Sequence, residues 1–127
     1  MNKVVIIVQD RKFLKLGKTL KKVALKLLRL TGKKQKALEI YLVAEKFMKT
    51  SVLSYPAPSG FPRPDFSGQF LGEIYLNPDY IRRRGEDIFF MLVHGFLHLL
   101  GYNHKKKSDS IRMERKEEEL LSKISNS

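Results

Sequence analysis

Three histidines, His94, His98 and His104, are the only ones in the chain of 127 residues, and all fall within one stretch of eleven. His94 and His98 are four residues apart inside the apolar run IFFMLVHGFLHLL, Ile88 to Leu100. On a helix that spacing stacks two imidazoles on one face about one turn apart, which is how a single helix supplies two ligands to one metal. Gly101 permits the left-handed conformation that ends a helix and turns the chain back, and the turn brings up His104 as a third ligand. Three protein ligands rather than four leave one tetrahedral position open, the count expected of a catalytic zinc. A water activated there serves hydrolysis. Imidazole suits nickel and copper as well, so the spacing points to one divalent transition metal per chain, with zinc first. A lone histidine is more often a satisfied core or surface imidazole; it is the grouping of all three that argues for a metal.

Gly95 occupies the position beside the first histidine, where zinc peptidases of the H-E-x-x-H type carry their general-base glutamate. Peptide hydrolysis therefore lacks its usual proton acceptor. Glu114, beyond the third histidine, is the carboxylate expected to return toward the ligands, weighed against a solvated place among Glu117, Glu118 and Glu119. The chain has no cysteine, which removes disulfides and thiolate ligands and fits a reducing compartment.

These ligands need a scaffold, and the pattern of the chain predicts one. Lys3 to Val8 is a β-branched run and reads as a strand. Leu16, Leu20, Val23, Leu27 and Leu30 then recur at spacings of four and three, predicting an amphipathic helix over about Leu14 to Leu30 that Thr31 and Gly32 end. Leu38 to Val43 alternates at period two, Ser51 to Tyr55 gives a third strand, and Phe70 to Leu76 a fourth, closed by Asn77 and Pro78. Between them, Pro56 to Gly68 holds enough proline and glycine to require a loop. Helices are expected from about Pro78, over Glu86 to Leu100, and over Ser108 to Ile124. Strands early and helices late predict an α+β domain with a mixed four-stranded sheet, occupying residues 1–127 as one unit. No apolar run reaches the ~20 residues of a membrane span, and the expectation is a soluble, cytoplasmic protein.

Net charge is +12, and its distribution is uneven. Residues 1 to 50 carry 14 Lys and Arg against 3 acids, whereas residues 51 to 127 carry 11 against 10. Lys15, Lys18, Lys22, Lys26 and Arg29 follow the helical rhythm on the face away from the leucine stripe. Such a face is solvated in any case; it also fits an anionic partner, nucleic acid or an anionic membrane surface.

The histidine segment HGFLHLLGYNH, His94 to His104, resembles the H-G-x-L-H-L-x-G-Y-D-H signature of the YbeY family of rRNA-processing endoribonucleases. TSVLSY, Thr50 to Tyr55, is similar to the family's T-D-V-L-S-F strand, LGEIYLNP, Leu71 to Pro78, to its L-G-D-I-x-I-x segment, and Met113 and Glu114 also match. The resemblance covers about residues 36 to 124. It implies a zincin-like, metalloprotease-type architecture and a metal-dependent, single-strand-specific endoribonuclease of the small ribosomal subunit. The activity implied is 3′-end maturation of small-subunit (16S) ribosomal RNA and ribosome quality control, with zinc on His94, His98 and His104. RNA rather than DNA is the expected partner, with no membrane, and the basic first half agrees with that. Asn103 and Ser51 stand where the family usually has aspartates. The N-x-x-x-R-G segment that precedes T-D-V-L-S-F is missing, and with it an arginine implicated in the family's catalysis. Lys49 and Arg63 are the cations left nearby to approach a scissile phosphate. The other readings are a non-catalytic ribosome-assembly or RNA-binding module with a structural metal, and a metallopeptidase, which Gly95 opposes.

Overall fold

The computed structural model describes residues 1–58 and 66–125. Its strands are β1 (Lys3–Val8), β2 (Lys36–Leu42), β3 (Val52–Pro56) and β4 (Gln69–Leu76). Its helices are α1 (Leu14–Leu30), α2 (Pro78–Arg83), α3 (Ile88–Leu99) and α4 (Lys107–Ser125), and single 3-10 turns stand at Arg11–Phe13 and Glu45–Phe47. The strands form one sheet in the order β1-β2-β4-β3, with β1, β2 and β4 parallel and β3 antiparallel on the edge. The expected α+β class and mixed four-stranded sheet are therefore both present.

Alternation along the strands decides which face is covered. Ile6, Val8 and Leu42 surround Gly17 of α1, and Ile74 and Val52 surround Gly95 of α3, so both helices lie on the same side of the sheet. Leu20, Ala24, Leu27 and Leu28 from α1, and Leu92, Val93, Phe96 and Leu97 from α3, pack there with Leu38, Ile40, Leu42, Ile74 and Leu76. The buried face of α1 is thus centred on Gly17, Leu20, Ala24, Leu27 and Leu28; Leu16, Val23 and Leu30 of the expected stripe are half-buried at its margin. Helix α4 adds Met113 and Leu120 to the same core. Each fully buried leucine contributes about 1.5–3 kcal/mol by leaving water. This hydrophobic layer holds α3, and hence its histidines, against the sheet.

Element boundaries follow local chemistry. Asp10, Asn77 and Asp87 each accept a backbone N–H two or three residues ahead, at the Arg11–Phe13 turn and at the starts of α2 and α3. Pro56 belongs to β3 rather than to the following loop. It pairs with Gly72 at a position whose N–H would face outward, while the next amide, Ala57 N–H, bonds Leu71 C=O at 2.9 Å. A proline at such an edge position costs the ladder nothing. The strand at Lys36–Leu42 starts two residues before the alternating run, where Lys36 and Ala37 pair with Gln69 and Phe70 of β4 and Asn2 Oδ1 accepts from Lys36 N–H. Most of the proline-rich loop, residues 59–65, falls outside the described residues, and Arg63 with it.

Candidate metal centre

Helix α3 carries His94 and His98 on one face, and the chain after Leu99 returns His104 to them. Gly101 adopts φ 100° in that turn, the left-handed backbone expected there. Tyr102 N–H closes the helix end by bonding Leu97 C=O at 3.0 Å. The three ring centroids then lie 4.7, 5.1 and 5.2 Å apart. One ring nitrogen from each histidine lies within 4.8 Å of the others, so His94, His98 and His104 form a cluster that can hold a metal ion.

Hydrogen bonding decides which nitrogens face the shared point. His98 Nδ1 is 2.9 Å from Tyr102 C=O, which can only accept, so that nitrogen carries the proton. His94 Nδ1 is 2.7 Å from Glu117 Oε2 and donates to the carboxylate in the same way. Both Nε2 atoms are then left with bare lone pairs, and they stand 3.1 Å apart. Two lone pairs at that distance repel unless a cation lies between them. For comparison, two nitrogens each about 2.0–2.1 Å from one tetrahedral zinc would be separated by roughly 3.3 Å. The donor set therefore fits a transition metal. Burial, followed by the neighbouring His94, holds His98 below the usual imidazole range, which keeps it in the neutral form a ligand needs.

A cleft of about 360 Å³ opens beside His94 and His98 and is walled by Val52, Leu53, Ser54 and Pro56 of β3. Gly95 explains how closely that wall approaches. A Cβ at residue 95 would lie 2.9 Å from Ser54 Oγ, 3.0 Å from Ile74 Cγ2 and 3.1 Å from Val52 Cγ2. The peptidase glutamate position is thus taken up by helix-to-sheet packing, and Ser54 Oγ–H donates to Gly95 C=O at 3.0 Å.

The carboxylate behind the ligands is Glu117, not Glu114. Glu114 is exposed, whereas the Glu117 side chain is 5% exposed and bonded to His94. Met113, Glu117 and Leu120 recur at spacings of four and three, and that stripe is the signal which places Glu117 on the buried face of α4. Lys49 is exposed in the bend leading into β3 and is not among the residues lining the cleft. Asn103 Oδ1 accepts from Lys105 N–H at 2.9 Å in the turn before His104, a role open equally to a carboxylate. Ser51 is buried and donates to the Glu86 carboxylate, so a carboxylate is present at that point, supplied from the turn between α2 and α3.

A family model described as Endoribonuclease YbeY matches residues 6–125. The chain belongs to the YbeY family. Among curated members, Endoribonuclease YbeY of Nitrobacter hamburgensis is 35% identical over 85 residues, 59% of this chain and 45% of that protein. The protein of the same name from Anaeromyxobacter sp. is 40% identical over 79 residues, 56% of this chain and 39% of that protein. The one from Bartonella henselae is 37% identical over 90 residues, 63% of this chain and 55% of that protein. The matched segment thus spans about half the length of these YbeY relatives.

Proposed function

We propose that this YbeY-family chain is a zinc-dependent, single-strand-specific endoribonuclease of zincin-like architecture, one domain over residues 1–127, acting in the cytoplasm on the 3′ end of small-subunit ribosomal RNA. The observation that carries the reading is the convergence of two Nε2 lone pairs at 3.1 Å, with both Nδ1 atoms engaged elsewhere and His104 alongside. His94, His98 and His104 would hold the ion. When bound, zinc supplies a Lewis acid that neutralises charge developing on a phosphodiester group.

The remaining work falls to the chain itself. Glu117 and Tyr102 C=O fix two imidazole rings, so the ligands are ordered before any ion arrives. Val52 and Ser54 set the width of the cleft in which a phosphodiester would lie. Lysines and arginines of the first half hold the RNA backbone, and Lys49 and Arg63 are the cations proposed to approach the scissile phosphate. The missing arginine segment supports a second reading, in which the metal is structural and the chain binds RNA without turnover.

Cleavage of single-stranded ribosomal RNA fragments, measured with and without chelator and in His98→Ala, separates the two. Loss of cleavage under both treatments, with about one zinc per chain by elemental analysis, is the expected result. Activity indifferent to both would exclude a metal-dependent nuclease. Tight, salt-sensitive binding without turnover, together with a large fall in thermal stability on chelation, would select the non-catalytic module.

A further inference from the structure

Strand β3 has two working sides. Val52 and Ser54 face α3 and the histidine cleft, and by alternation Leu53 and Tyr55 face the opposite side of the sheet, Leu53 at the edge bordering both. Neither α1 nor α3 covers that side. There Leu53 and Tyr55 join Phe47 and Met48, from the turn ahead of β3, and Tyr75 of β4 around an open hollow of about 330 Å³.

The composition of this hollow points to its ligand. Phe47 is 65% exposed and Tyr55 51%, the two most exposed aromatic rings among the described residues, and both stand here. Tyr55 is braced edge-on against Tyr75 with ring centroids 5.6 Å apart, and Tyr75 is itself stacked on Tyr41 at 4.5 Å. Tyr55 and Tyr75 are therefore held in place while one surface stays open. Lys46 Nζ sits 5.0 Å from the centre of the Phe47 ring, and the exposed Lys49 follows two residues later. Glu39 and Glu73 share this side of the sheet, where both accept from the Tyr41 hydroxyl and Glu73 also accepts from Tyr75 at 3.4 Å and pairs across the ladder with Tyr55; neither is among the residues around the hollow. Exposed aromatics with a cation alongside are what an unstacked nucleobase binds, with stacking on the ring and phosphate charge met beside it. Because β3 is the sheet edge, a strand leaving the histidine cleft needs only to cross one β-strand to arrive here.

We propose that Phe47, Tyr55 and Tyr75 form a base-stacking subsite for single-stranded RNA, with Lys46 beside it for an adjoining phosphate. The proposal rests on the reading of the chain as acting on single-stranded RNA.

The chain has no tryptophan, so Phe47→Trp installs a single reporter at an exposed position. Titration with a short single-stranded RNA should quench its fluorescence saturably, while an abasic oligomer of equal length should not. Tyr55→Ala in that background should weaken binding about fivefold or more, and Tyr55→Phe should restore it. Anisotropy of labelled RNA with unmodified protein and with Tyr55→Ala alone supplies the same comparison without the reporter. The metal-ligand variant His98→Ala should keep the quench while losing cleavage. Cleavage by the wild type without any quench, and with Tyr55→Ala binding unchanged, would overturn the subsite and leave the nuclease reading standing. A quench without cleavage would support the subsite and count against the nuclease. Equal quenching by duplex RNA, or by anionic vesicles in place of RNA, would also overturn it.

Discussion

Glu117 is the residue whose placement most constrains the chemistry. A carboxylate with a 5% exposed side chain is costly to bury unless something engages its charge, and here its partner is the Nδ1–H of His94 at 2.7 Å. That bond holds the ring and selects the tautomer that frees Nε2 toward His98. Glu117→Gln preserves the volume but replaces a charged acceptor with an amide that can also donate. Zinc affinity should fall about 10- to 100-fold, measured by competition with a chromophoric chelator, with circular dichroism showing the fold intact. Unchanged affinity would reduce Glu117 to a filler of the space between α3 and α4. The histidine cluster was legible in the sequence because i, i+4 spacing and a trailing glycine are local signals. Their carboxylate was not, since Glu114 and Glu117 are told apart only by the phase of α4 against the core.

At the scale of elements, the cleft depends on how closely α3 lies on β3 and β4. Gly95 is the point of nearest approach, with three side-chain atoms within 3.1 Å of where a Cβ would sit. Gly95→Val would gain helix propensity of a few tenths of a kcal/mol, yet it must drive three carbons into Ser54, Ile74 and Val52. Overpacking of this kind costs about 1–3 kcal/mol, so crowding wins and the metal-free protein should unfold at lower urea concentration. Zinc binding should weaken with it, because α3 can yield only by moving away from the β3 wall. A midpoint equal to that of the wild type would show that the helix-to-sheet gap is loose. Periodicity in the sequence identified α1 by its apolar stripe and β2 by alternation, while β1 was legible as a β-branched run and α3 as an apolar run carrying two histidines at helical spacing. It missed the inclusion of Pro56 in β3, which depends on which amides the β4 ladder uses, a fact set by the register of a partner strand.

Taken as a whole, the molecule divides its labour by position. Residues 11 to 38 hold eleven lysines and arginines and no acid, and α1 displays Lys15, Lys18, Lys22 and Arg29 exposed. None of these four is paired with a carboxylate among the described residues. Helix α1 covers the β1–β2 half of the sheet, whereas the histidines open beside β3 at the far edge. A cationic face so placed can hold RNA backbone without crowding the histidine cluster, or serve solvation alone. Salt dependence tells them apart, since each phosphate neutralised on a single strand adds about 0.7 to the slope of log affinity against log salt. Replacing all four cations by glutamine should flatten that slope by about 3 and weaken RNA binding at low salt, while zinc affinity stays unchanged because no ligand or its partner is touched. An unaltered slope would assign the stripe to solvation alone and move the burden of RNA binding to the residues around β3.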